Sequence, residues 1–112
     1  MEDDLVTGGR VLQIQTRGRV TGRPALAVVG FVARPGNSLV IAAGSPTADW
    51  AQNLLSEPAC RITIGVATFA ATAVELVGTG HATAVRDLIL KYGTPAEGLG
   101  RGPSFEVRPL EP

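Results

Sequence analysis

At 112 residues the chain has room for one domain and one hydrophobic core. Ten Lys and Arg balance ten Asp and Glu, so the formal net charge is zero and a uniformly basic nucleic-acid binder is disfavoured. With 45% hydrophobic and 18% charged residues it carries enough apolar material to fold, and the single cysteine, Cys60, leaves no internal disulfide framework. The charge balance hides an asymmetry. After Glu2, Asp3 and Asp4, every charge up to Arg34 is an arginine (Arg10, Arg17, Arg19, Arg23, Arg34), and no acid follows until Asp49. The longest uncharged stretches fall short of the ~20 apolar residues of a membrane helix, so no span is expected. Acids at the N-terminus are unlike a signal peptide, and a reducing, cytoplasmic location is the expectation. One histidine and one cysteine with no carboxylates clustered around them predict no structural metal.

Residues 1–8 are expected to form a flexible N-terminus and residues 9–112 a single domain. Leu12 and Ile14 alternate with Gln13 and Gln15, which predicts a first strand over Val11 to Thr16. Arg17 to Pro24, with two glycines and a proline, is a turn, and Ala25 to Ala33 is apolar on both faces, as a central strand would be. Arg34-Pro35-Gly36-Asn37 turns the chain into a third strand, Ser38 to Ala43, so strands two and three form a hairpin. Ser45 followed by Pro46 has the form of an N-cap with proline at the first helical position. Trp50, Asn53 and Leu54 then share one face of a short helix that Pro58 stops. Cys60, Ile62 and Ile64 alternate with Arg61 and Thr63, and Gly65-Val66-Ala67 turns into a long strand, Thr68 to Val77. From His81 the period changes: Val85, Leu88, Ile89 and Tyr92 mark an amphipathic helix ended by Gly93. Thr94 to Pro103 is a loop, and Ser104 to Pro109 is a closing strand.

Six short antiparallel strands interrupted by two helices cannot be a doubly wound parallel sheet. The expectation is a mainly β, α+β domain: a small closed or half-open barrel with two short helices, because closure hides the sheet edges.

The first chemical candidate is the loop Thr16 to Arg23. Its three guanidiniums (Arg17, Arg19, Arg23), the Thr21 hydroxyl and two glycines, Gly22 among them, can wrap an oxyanion, with backbone N–H groups exposed by glycine. A solvated hairpin turn explains the same residues equally well. Trp50 and Asn53 could line a flat heterocycle, or Trp50 could anchor its helix while Asn53 caps a loop. Tyr92 could donate a proton over a cleft, or belong to the core as the last member of its apolar stripe. His81 is expected in solvent and Cys60 as a small buried hydrophobe. No Ser/His/Asp set, phosphate-binding P-loop or zinc signature is present, so an enzyme of this sequence needs an organic cofactor.

Two motifs and the order of elements carry a resemblance. Thr16-Arg17-Gly18-Arg19-Val20-Thr21-Gly22-Arg23-Pro24 resembles the T-x-G-R-K-S-G-x-P loop of the deazaflavin-dependent nitroreductases. Asp49-Trp50-Ala51-Gln52-Asn53-Leu54-Leu55-Ser56-Glu57-Pro58 is similar to their D-W-x-x-N-L-x-x-x-P helix, and Val107 to Pro112 looks like their last strand. That family belongs to the split β-barrel flavin and deazaflavin oxidoreductases, so the resemblance implies a six-stranded split barrel that uses coenzyme F420, with FMN as the alternative. It also implies that Arg19, Thr21 and Gly22, with Arg17 and Arg23 beside them, hold the cofactor phosphate, and that Trp50 and Asn53 lie by the ring. Val20 stands where the family has lysine, and Ala25 where an arginine follows the proline.

The expected function is a reductase that passes a hydride from the reduced deazaflavin to an electron-poor small molecule such as an activated alkene, quinone or nitro compound. The alternative is a non-catalytic split-barrel binder of a lipid, haem or flavin that has lost part of the phosphate site. The expected partners are a small-molecule substrate, no nucleic acid, and at most a second copy of the chain, as monomer or homodimer.

Overall fold

The computed structural model describes residues 8–93, 96 and 98–110. The expected flexible segment 1–8 therefore lies almost wholly outside the described residues, as do Thr94, Pro95 and the terminal Glu111-Pro112. Seven strands form one antiparallel sheet: β1 Leu12–Arg17, β2 Pro24–Val29, β3 Val32–Ala33, β4 Leu39–Ala42, β5 Ala59–Ile64, β6 Ala67–Leu76 and β7 Ser104–Pro109. Helix α1 spans Asp49–Ser56 and helix α2 spans Gly78–Tyr92. Across the sheet the order is β2-β1-β5-β6-β7-β4-β3. The two outermost strands, β2 and β3, are consecutive in the chain with only Gly30 and Phe31 between them, so the sheet must curl until its ends meet. The result is a split barrel.

Alternation places the core inside that curl. Leu12, Ile14 and Thr16 of β1, Cys60 and Ile62 of β5, Ala71 and Ala73 of β6, and Phe105 and Val107 of β7 are all buried. All four residues of β4 are buried, because α2 packs against this strand as well. Helix α1 packs against β1 and β2 through buried Ala51, Asn53 and Leu54.

Four expectations change. The predicted strand Ala25 to Ala33 is two strands, so the sheet has seven strands where six were expected. The first of the two, β2, lies at the edge of the sheet, not its centre. It pairs with β1 alone, and its outward Leu26 is 63% exposed, so an apolar run on both faces here reflects an uncovered edge strand. The hairpin of strands two and three survives only as the short β3–β4 pairing, Val32 with Val40 and Ala33 with Leu39. The break occurs at Gly30, where a Cβ would stand 2.8 Å from the Tyr92 ring. Tyr92 closes the seam from there. Its hydroxyl donates to Arg10 O at 2.7 Å and accepts the Phe31 N–H at 3.0 Å, while Lys91 Nζ donates to Phe31 O at 2.6 Å and sits 3.9 Å over the Phe31 ring. Finally, Ser45 and Pro46 do not start the first helix. Ser45 Oγ accepts the Thr47 N–H at 3.1 Å in a turn of its own, and α1 begins at Asp49.

Candidate functional site

The loop between β1 and β2 is a closed, tied turn. Gly18 N–H donates to Arg23 O at 2.8 Å and Gly22 N–H to Gly18 O at 2.8 Å, while the Thr21 hydroxyl oxygen accepts the Arg23 N–H at 3.2 Å. Gly22 has φ +74°, a conformation that side chains with a Cβ rarely adopt. These bonds leave the N–H groups of Val20 and Thr21 without a partner among the described residues. The Thr21 hydroxyl hydrogen is also free to donate outward.

Helix α1 fixes this turn through Asn53. Asn53 is 3% exposed, and its Nδ2 donates to Thr16 Oγ1 at 3.1 Å, itself buried at the end of β1. Its Oδ1 accepts two bonds from Arg19, the backbone N–H at 3.2 Å and Nη1 at 2.7 Å. Arg19 continues to the start of α1, with Nη1 donating to Asp49 O at 3.2 Å and Nη2 pairing with Asp49 Oδ1 at 3.1 Å. Of the two roles open to Asn53, the structure thus shows it holding the loop.

The three loop arginines consequently differ. Arg19 is engaged with α1. Arg17 and Arg23 have no acid within ion-pair distance among the described residues, and the same is true of Arg61 on the neighbouring β5. A cleft of about 430 Å³ opens beside the loop, lined by Arg17, Gly18, Arg19, Val20, Thr21 and Gly22 and by Ser56 and Glu57 from the end of α1. A second cleft of about 350 Å³ shares Arg17 and Gly22 with the first and continues over β1, β5 and β6 past Cys60, Arg61 and Ala70. Arg17 and Arg61 bring unpaired guanidiniums to these clefts beside the free Val20 and Thr21 N–H groups and the Thr21 hydroxyl, a set of donors of the kind an anion accepts, whereas Arg23 lines neither cleft. Glu57 is the one carboxylate on its wall.

The other expected residues lie elsewhere. Trp50 is half-buried and packs its ring against Phe105, centroids 6.0 Å apart and planes tilted by 56°, so its visible role is to anchor α1 on the core. Tyr92 sits at the seam. The loop follows β1 and precedes β2, whereas Arg10 and Phe31 flank the other ends of those strands, so six strand residues, ~20 Å, separate the Tyr92 hydroxyl from the loop. Cys60 is buried, and burial pushes its thiol up to about 11, which keeps it protonated and unreactive. His81 departs from the solvated residue expected: its Nδ1 lies 2.7 Å from the Oγ of fully buried Ser104.

Several residues of the site carried no signal of their own in the sequence. Thr16 is a routine strand residue until Asn53 reaches it. Arg61 falls on the wet phase of its strand, and only the β1–β5 register, which sets Arg61 opposite Gln15, brings it near Arg17.

The curled antiparallel half-barrel, with an arginine-rich loop between its first two strands, is the split-barrel fold. The chain belongs to the F420H(2)-dependent quinone reductase family, whose model matches residues 3–95. No curated protein matches the chain in sequence. Among solved structures, an F420-H2 dependent reductase, FDR-A, is 20% identical with a TM-score of 0.75 over 88% of this chain and 94% of that one. HutZ, the heme storage protein from Vibrio cholerae, is also 20% identical with a TM-score of 0.75, over 98% of this chain and 88% of that one. A heme binding protein from Mycobacterium smegmatis is 17% identical with a TM-score of 0.69, over 96% and 49%. These likenesses establish the fold. Among the described residues no helix is long and apolar enough to cross a membrane, and no three metal-ligating side chains are grouped.

Proposed function

We propose that this chain is a deazaflavin-dependent reductase that passes a hydride from reduced coenzyme F420 to an electron-poor small molecule: a quinone, an activated alkene or a nitro compound. The observation that carries the reading is the loop itself, where the Val20 and Thr21 N–H groups and the guanidiniums of Arg17 and Arg23 have no partner among the described residues. That donor set fits a phosphodiester, so the cofactor suits the residues present. When bound, the reduced deazaflavin supplies the hydride, which no side chain of this protein can do.

The protein's own residues bind and orient. Arg17, Thr21 and the loop N–H groups would hold the phosphate, with Gly22 letting the backbone approach and Arg23, which lines neither cleft, adding positive charge from the same loop. Arg19, which the family resemblance places on the phosphate, acts here chiefly through Asn53 and Asp49 by fixing the loop's position. The missing cations at Val20 and Ala25 are offset by Arg17 and by Arg61 across the shared cleft. The alternative of a binder that has lost its phosphate site is disfavoured by these unpaired guanidiniums.

The test is oxidation of the reduced coenzyme, followed by the return of its visible absorbance, with a soluble naphthoquinone or a nitroaromatic as acceptor. Turnover with either acceptor, lost on replacing both Arg17 and Arg23 with alanine, is the expected result. No turnover with any acceptor, in a protein that also fails to bind the coenzyme, overturns the proposal.

A further inference from the structure

The cleft beside the loop has two unlike walls. One carries donors: the Val20 and Thr21 N–H groups, the Thr21 hydroxyl and the Arg17 guanidinium. The other is built by Ser56 and Glu57, the last residue of α1 and the one that follows it. The Glu57 N–H donates back to Asn53 O at 2.8 Å and closes the helix, and the C-terminal end of a helix carries partial negative charge. This wall therefore offers acceptors. The Glu57 carboxylate has no hydrogen-bond or ion-pair partner among the described residues, although the unpaired Arg17 lines the same cleft.

A carboxylate on the wall of a phosphate cleft repels the phosphate unless the ligand brings hydrogen-bond donors to it. The cleft, about 430 Å³, is several times larger than a phosphate, so further ligand atoms fit between the two walls. Such a ligand carries an anion at one end and donors on the atoms beside it. The Ser56 hydroxyl, the Glu57 carboxylate and the helix end spread their acceptors along the wall. That spread suits a row of hydroxyls better than the single point charge of an ammonium group.

We propose that Glu57 is a specificity-determining residue that accepts hydrogen bonds from the hydroxyls of a phosphorylated polyol, and so reads the ribityl arm beside the phosphate of the deazaflavin coenzyme. The inference rests on the reading of this loop as the cofactor's phosphate site. It makes Glu57 favourable to the whole ligand and unfavourable to the phosphate alone, a reversal of sign that a solvated surface carboxylate does not produce.

Calorimetric titration tests it with three probes: ribitol 5-phosphate, pentyl phosphate, which has the same charge and chain length without the hydroxyls, and phosphoethanolamine. The unmodified protein should prefer ribitol 5-phosphate to pentyl phosphate by about tenfold, a value reduced for the exposure of Glu57. Glu57→Ala should erase that preference while tightening pentyl phosphate about twofold. Glu57→Gln, which keeps a carbonyl acceptor without the charge, should retain part of it. Because the position is exposed and its backbone bond to Asn53 survives substitution, the thermal midpoint should not move. Coenzyme F420, followed by its fluorescence, should bind Glu57→Ala about fivefold less tightly. No preference for ribitol 5-phosphate, a preference that Glu57→Ala leaves intact, or tighter binding of phosphoethanolamine overturns the proposal. Coenzyme that binds Glu57→Ala as tightly as the unmodified protein also overturns it and leaves the reductase reading standing. A ribitol 5-phosphate preference lost in Glu57→Ala, in a protein that binds no coenzyme, overturns the reductase reading and leaves Glu57 as the reader of a polyol phosphate.

Discussion

Truncating Asn53 to alanine should destabilise the protein and release the loop. Three hydrogen bonds end on this side chain: Nδ2 to buried Thr16, and Oδ1 from the Arg19 N–H and the Arg19 guanidinium. A neutral bond contributes ~0.5–1.5 kcal/mol and one to a charged group ~1.5–3 kcal/mol, with the guanidinium bond reduced here because Arg19 is partly in water. Truncation also strands the Thr16 hydroxyl in a buried position. The net loss is ~2–4 kcal/mol, equivalent to a fall of ~10–20 °C in Tm for a domain of this size. Urea denaturation followed in parallel by far-UV circular dichroism and by the fluorescence of Trp50, the chain's only tryptophan, measures it on the helix concerned. Asn53→Asp sharpens the test. The carboxylate still accepts from Arg19, and the Thr16 hydroxyl can turn and donate to it, so this variant should stay within ~1 kcal/mol of the unmodified protein. A loss below ~1 kcal/mol for the alanine variant, or equal losses for both variants, would refute the role assigned to Asn53.

The seam supplies a second prediction. Gly30→Ala drives a methyl group to 2.8 Å from the Tyr92 ring and should cost ~1–3 kcal/mol in urea denaturation. Tyr92→Phe should cost a similar ~1–3 kcal/mol by leaving the Phe31 N–H unpaired, while turnover per folded molecule stays within severalfold; a loss of turnover without a loss of stability would return Tyr92 to the role of proton donor. Acid should destabilise the fold at the two carboxylate networks. The Arg34 hydrogen bond holds Asp87 below its ordinary 3.8, and bonds from Arg108 and Ser38 hold Glu106 below its ordinary 4.5. Both folded values are lowered, so their stabilising effect is complete above the ordinary values and is lost as pH falls from there through the folded ones. Thermal midpoints should drop across that window, and less steeply in Asp87→Asn. Cys60 should resist iodoacetamide at pH 8 in the native protein and react on unfolding, since burial keeps its thiol protonated up to about 11.

Much of the fold was legible because alternation and turn chemistry act locally. The hairpin of β5 and β6, the closing strand Ser104–Pro109 and the amphipathic second helix follow from period and turn residues alone. The misplaced strand shows the limit. Ala25 to Ala33 is apolar throughout, and only the ring of Tyr92, 62 residues downstream of Gly30, forces the break that makes two edge strands of it. Similarly, Ser45-Pro46 has the local form of a helix start, but Ser45 uses its hydroxyl on Thr47 and the helix begins at Asp49, whose carboxylate meets Arg19. Within the site, the arginine loop was visible as composition. Its division into one arginine that positions and two that remain unpaired was not, because that depends on Asn53 and Asp49 approaching from another element.

The measurement that tests the account most directly is a fluorescence titration of oxidised coenzyme F420 into the protein, its Arg17→Ala and Arg23→Ala variants, and Arg19→Ala, with flavin mononucleotide as the control ligand. The predicted result is binding in the micromolar range that each of the Arg17 and Arg23 changes weakens by ~1.5–3 kcal/mol with the fold's stability unaltered. Arg19→Ala should weaken binding and stability together, because its bonds end on Asn53 and Asp49. No binding at tens of micromolar, or binding indifferent to Arg17 and Arg23, would contradict the assignment of this loop as the cofactor's phosphate site.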